Sequence, residues 1–103
     1  MVRDIGDDFL EKEVMGKEGT VLLLAYATWC GDCQRILPVL NKVSTVPEYN
    51  QVSFLQMNVD KNPFTKMHLK VERYPTLYLF RDGRKVAEQT AEVPAEEQKA
   101  IIQ

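Results

Sequence analysis

Only two cysteines occur in the 103 residues, and they stand three positions apart at Cys30 and Cys33. A scaffold held together by several disulfides is therefore excluded, and a chain of this length can build a core without them. A closed zinc site wants four ligands, whereas this chain offers one cysteine pair and a single histidine, His68, far from it. Basic residues are in no surplus: the net charge is −2, which gives no electrostatic footprint for nucleic acid or an anionic membrane. The longest apolar run, residues 21–27, is well short of the about 20 residues that cross a bilayer. The opening mixes Arg3 with Asp4, Asp7, Asp8 and Glu11 rather than passing from basic to apolar, so no secretory leader is visible and a cytoplasmic location is expected. A glycine-rich nucleotide loop is missing as well, so no bound cofactor is expected.

What remains has the balance of an ordinary globular domain, with 45% hydrophobic and 27% charged residues, and is read as one domain over residues 1–103. Asp7-Asp8 can cap a first helix with Phe9, Leu10, Val14 and Met15 on one face, ending at Gly16 or Gly19. Residues 20–27 are apolar on both faces, as in a central strand covered on each side. A helix over about residues 30–46 follows, with a kink expected at Pro38, which removes a hydrogen bond from the helix interior. A strand over residues 52–59 comes next, and strand, helix, strand at this length implies a right-handed crossover and parallel pairing. Asp60 or Asn62 then caps a short helix with Phe64 and Met67 inward, along with Val71. Residues 76–80 and 85–89 flank Asp82-Gly83, the pair that a tight hairpin turn demands, and Pro94 opens a last helix ending in Ala100, Ile101 and Ile102. The fold class is α/β, one domain with a mixed sheet.

The cysteines lie in Trp29-Cys30-Gly31-Asp32-Cys33, where a buried strand turns into a helix. Residues three apart in a first turn have Cβ atoms about 5–6 Å apart, slightly long for a disulfide, and a tightened turn closes the gap. The helix start presents unpaired N–H groups and about half a positive charge, which favours a thiolate nucleophile at Cys30 and leaves Cys33, a turn inside, as the shielded thiol. This setting favours reversible dithiol chemistry. Half a metal site, an iron–sulfur cluster shared between chains, two inert buried thiols and a structural disulfide are the weaker readings.

Taken with Pro38, Asn58-Val59-Asp60, Tyr74-Pro75-Thr76 and Phe80-Arg81-Asp82-Gly83, the chain resembles the thioredoxin family over nearly its whole length. The resemblance implies a thioredoxin fold, a central mixed β-sheet with helices on both faces. It implies protein-disulfide reduction, with Cys30 as nucleophile, Cys33 resolving, and a redox-active disulfide between them. It also implies a cis peptide before Pro75, with Trp29, Tyr74 and Pro75 lining the substrate groove. Disulfide-containing proteins are the implied substrates and a flavin-dependent thioredoxin reductase the implied electron donor; a monomer is expected. The alternative is a redox-sensing binding module of low reductase activity.

The chain departs from the family pattern in three places. Asp32 stands where the commonest motif has proline, so it and Gly31 are expected to modulate the site. Leu24 and Gln56 occupy the places of a buried aspartate and its lysine partner, so Cys33 must lose its proton to water, to Asp32 or to the substrate, with Asp32 expected to take over in part. Tyr74 is bulkier than the usual isoleucine, and a glycine is missing from residues 89–93, which bears on partner choice. Arg35 and His68 are expected to be solvated helix positions.

Overall fold

The computed structural model describes residues 1–90. The expected last helix and most of the segment lacking the glycine lie outside the described residues. Five strands form one mixed sheet in the order β1-β3-β2-β4-β5. They are β1 (Arg3–Asp4), β2 (Thr20–Tyr26), β3 (Ser53–Asn58), β4 (Thr76–Arg81) and β5 (Arg84–Thr90). Among the described residues two helices, α1 (Gly31–Val43) and α2 (Pro63–His68), accompany the sheet, with single turns at Asp7–Phe9, Glu11–Met15, Pro47–Tyr49 and Val59–Lys61.

The apolar continuity of β2 follows from its place at the centre. It pairs parallel with β3 and antiparallel with β4, and successive side chains enter opposite layers. Val21, Leu23 and Ala25 join Leu10, Val14, Leu55, Met57, Val71, Tyr78 and Phe80 in one core. Leu22, Leu24 and Tyr26 pack on the other side with Ile36, Leu37, Leu40 and Val43 of α1. Fully burying a side chain of this size is worth about 1.5–3 kcal/mol, so both layers are needed to hold the strand.

Several local expectations change. The two-residue β1 is an edge strand that periodicity does not reveal; it pairs with Leu55 and Gln56. The first helical segment is a 3₁₀ turn running into a π turn, and Gly6 rather than an aspartate sits at its N-cap. Leu10 and Val14 are buried as expected, whereas Phe9 is exposed. Asp7 caps a different helix: its carboxylate accepts the Phe64 and Thr65 N–H groups at 3.0 and 2.8 Å, at the start of α2. In α2 itself Phe64 and Met67 face out and Thr65 faces in, while Val71 beyond it is buried as expected. Helix α1 runs through Pro38 and ends at Val43, where the Ser44 and Thr45 hydroxyls take up the carbonyls of Asn41 and Lys42. The hairpin forms as read, with Asp82 and Gly83 both at positive φ.

Candidate active site

Helix α1 begins at the C-terminal end of the central strand, and Cys30 is its N-cap, with extended backbone (φ −88°, ψ 115°). Its sulfur does what an N-cap oxygen does elsewhere: Sγ accepts the Cys33 N–H at 3.2 Å. The Cys30 carbonyl accepts the Gln34 N–H, and the Cys30 N–H is donated to the Ala27 carbonyl. Both thiols are free, and with Ala27 they form a small buried cluster. Cys30 keeps 7% of its surface and Cys33 none, so the first thiol is the one within reach of a partner. Burial, reinforced by the Cys30 sulfur, pushes the Cys33 thiol up from its ordinary value. Gly31 opens the helix facing free space; a Cβ placed there would have no neighbour within 4 Å.

Around the dithiol the structure brings Trp29 and Tyr74 together and exposes Trp29, at 67% of its surface. Their rings meet edge to face with centroids 5.2 Å apart. Tyr74 also packs against the Ala27–Cys30–Cys33 cluster, and the Tyr74–Pro75 peptide is cis and leads directly into β4. The backbone order explains the convergence: β3 parallel to β2 delivers its C-terminal end to this pole, and β4 antiparallel delivers its N-terminal end.

Asp60 ties these pieces together, a role the sequence reading did not give it. Its carboxylate accepts the Trp29 indole N–H, accepts the Tyr74 hydroxyl at 2.9 Å, and lies 3.4 Å from the Lys66 ammonium. Lys66 in turn sits over the Tyr74 ring, 5.5 Å from its centroid. The Trp29 bond first, then those from Tyr74 and Lys66, hold the Asp60 carboxyl below its ordinary value. The available signal was slight: an acid one residue past the expected end of the strand parallel to the one that leads into the cysteines.

Asp32 occupies the first turn of α1 and forms an ion pair with Arg35, one turn on. Arg35, expected to be merely solvated, is therefore the partner of the motif's own carboxylate. His68 stacks on Phe64, with ring centroids 5.7 Å apart and planes 10° from parallel, outside the dithiol cluster. Leu24 is fully buried with Leu40 and Phe54. One register step outward, Gln56 donates to Asp4 at 3.3 Å, and the Tyr26 hydroxyl donates to the same oxygen at 2.8 Å. Burial first, then that bond and the charge of Asp4, push the Tyr26 phenol up to about 12.

A family model described as Thioredoxin matches residues 2–103. The chain belongs to the thioredoxin family. It is 37% identical over 94 residues to a thioredoxin of Haemophilus influenzae, covering 90% of this chain and 86% of the relative. It is 33% identical over 92 residues to a thioredoxin of Malassezia sympodialis, covering 89% and 88%. The crystal structure of Malassezia sympodialis thioredoxin (Mala s 13), described as a member of a pan-allergen family, superposes with a TM-score of 0.81 at 31% identity, over 98% of this chain and 88% of that one. The fold is the thioredoxin fold, and the protein is a thiol–disulfide oxidoreductase acting on protein disulfides. The reading as a binding module of low activity is not favoured. Among the described residues no helix is long and apolar enough to cross a membrane.

Proposed function

We propose that Cys30 is the attacking thiol and Cys33 the resolving thiol of a protein-disulfide reductase confined to this one domain, residues 1–103. The Cys30 thiolate attacks one sulfur of a substrate disulfide, and the other substrate sulfur leaves as a thiolate. The Cys33 thiolate then attacks Cys30 Sγ, the Cys30–substrate bond breaks, and the second substrate thiolate departs. The protein is left with a Cys30–Cys33 disulfide, and two electrons have passed to the substrate. No cofactor is needed on the chain itself; a flavin-dependent thioredoxin reductase returns the electrons. The cytoplasm is the compartment whose thiol balance suits this direction, and the protein works there as a monomer.

The observation that carries the assignment of roles is the N-cap position of Cys30, with its sulfur on the Cys33 N–H at the one edge of the cluster that keeps some exposure. Trp29, Tyr74 and Pro75 form the wall against which an extended substrate lies, and Gly31 leaves the approach to Cys30 open. Asp32 adds a carboxylate to the first turn, balanced by Arg35, and with Gly31 tunes the dithiol.

Insulin reduction with dithiothreitol as electron source tests the roles. Cys30→Ser is expected to abolish turnover. Cys33→Ser is expected to accumulate a substrate mixed disulfide at Cys30, visible as a mass increase that excess dithiothreitol reverses. Turnover surviving in Cys30→Ser, or a mixed disulfide trapped at Cys33 instead, overturns the assignment.

A further inference from the structure

The resolving step sets a problem that the buried dithiol does not solve by itself. Cys33 is fully enclosed and its thiol is held in the protonated form, yet it attacks only as a thiolate. Its proton needs an acceptor with a way to solvent. On its own helix Cys30 Sγ is the reacting partner, and the Asp32 carboxylate is engaged by Arg35. From the segment before β4, Tyr74 packs on the cluster, but its hydroxyl is given to Asp60, which also holds Trp29 and Lys66. That side is where the substrate lies.

Strand β2 supplies the remaining neighbour. Tyr26 packs on the Ala27–Cys30–Cys33 cluster from the sheet side, and its hydroxyl donates to Asp4 Oδ1 at 2.8 Å. Gln56 donates to the same oxygen at 3.3 Å and fixes the carboxylate in place. Asp4 is an exposed residue of the edge strand, so a proton delivered there meets water. Burial, the Asp4 bond and the Asp4 charge raise the Tyr26 phenol, and the charge of a Cys33 thiolate adds a smaller part. Tyr26 is thus the side chain that joins the dithiol cluster to a solvent-facing carboxylate away from the substrate.

We propose that Tyr26 and Asp4 form the proton exit of Cys33 in the resolving step. In the mixed disulfide the Cys33 S–H passes its proton to the Tyr26 oxygen, directly or across one water, as the Tyr26 hydroxyl passes its own proton to Asp4. The Cys33 sulfur then bonds to Cys30 Sγ, the Cys30–substrate bond breaks, and the leaving sulfur carries the electron pair away as a thiolate. Asp4 releases its proton to solvent. Tyr26 is neutral before and after, and Gln56 is a positioning residue. The inference rests on the reductase roles given to the two cysteines.

The two chemical steps separate with dithiobis-nitrobenzoate in stopped flow. The first coloured thiol is released when Cys30 attacks the reagent, the second when Cys33 resolves the mixed disulfide, and Cys33→Ser identifies the first phase by retaining it alone. Followed from mildly acidic to mildly alkaline pH, Tyr26→Phe is expected to slow the second phase about 100-fold at neutral pH, the low end for loss of acid–base assistance. The deficit closes as pH rises and hydroxide removes the proton. Asp4→Asn, which keeps Tyr26 and its packing, is expected to give the same profile. A second phase of either variant that overlays the wild type across the pH range overturns the proposal. So does a deficit that follows Tyr74→Phe or Asp32→Asn instead. A wild-type protein with no second phase would refute the reductase roles themselves.

Discussion

Asp60 shows how one side chain organises a reactive surface. Its carboxylate is shared by the Trp29 indole, the Tyr74 hydroxyl and the Lys66 ammonium, so the two aromatic rings are fixed relative to each other. The sign of its titration follows from those partners. A carboxyl held below its unfolded value stabilises the fold above that value and loses the contribution as pH falls through the folded one. Trp29 fluorescence is therefore expected to stay constant from neutral pH to about pH 4, the ordinary aspartate range, and to change only below it. Asp60→Asn is expected to abolish that acid transition while the protein stays folded at neutral pH; a transition that persists in the variant would assign it elsewhere. At this scale the sequence was a good guide to chemistry and a poor one to contacts. The exposed Trp29 and the order of burial of the two cysteines follow from motif and helix start. The Asp32–Arg35 pair was available in the three-residue spacing, but nothing local announces that residues 29, 60, 66 and 74 share one carboxylate.

At the level of elements the clearest lesson comes from Asp7. An aspartate ahead of an apolar helical pattern reads as that helix's own cap, and here it caps a helix 56 residues on, at the Phe64 and Thr65 N–H groups. Asn62 sits at the N-cap of α2 with no side-chain cap bond of its own, so Asp7 supplies what the local sequence leaves open. Removing a cap costs about 1 kcal/mol. Asp7→Ala is expected to lower Tm by roughly 4–8 °C, the shift for that cost in a domain of this size. Asp8→Ala, next door, is expected to leave Tm nearly unchanged. The same helix explains the reversal at Phe64 and Met67. Six residues are too few for hydrophobic periodicity to fix a phase, and anchoring by Asp7 turns Thr65 inward instead. The long apolar strand β2 and the Asp82-Gly83 hairpin, by contrast, were legible because their signals are repeated or stereochemically strict. The two-residue β1 carries too little pattern for any period to show.

Over the whole molecule, the sheet holds its layers in place at one pole and its chemistry at the other. The Gly19 N–H is donated to Asp82 at 2.8 Å where β2 begins, and the Gly83 turn presses on the end of the first helical segment. A Cβ at Gly83 would stand 2.1 Å from the Met15 carbonyl oxygen, at a φ of 83°. Gly19 has a similar φ of 88°, with no atom within 4 Å of a Cβ placed there. Gly83→Ala is therefore expected to cost about 2 kcal/mol or more, and Gly19→Ala about 1 kcal/mol, strain without collision. Urea unfolding is expected to rank them in that order, and equal costs would mean that the Met15 contact is easily relieved. Well below its melting temperature Gly83→Ala is expected to reduce insulin at the wild-type rate.

The central strand bears on one further matter, how the protein can be handled. Six residue steps of about 3.3 Å separate Thr20 from Tyr26, so the Gly19–Asp82–Gly83 pole lies roughly 20 Å from the dithiol end of the strand. A fluorophore or a surface tether attached at Glu18 or Arg84 would leave the reactive face pointing outward. Immobilised that way on an electrode or a bead, every molecule would present Trp29 and Cys30 to the solution, and the bait of choice would be Cys33→Ser.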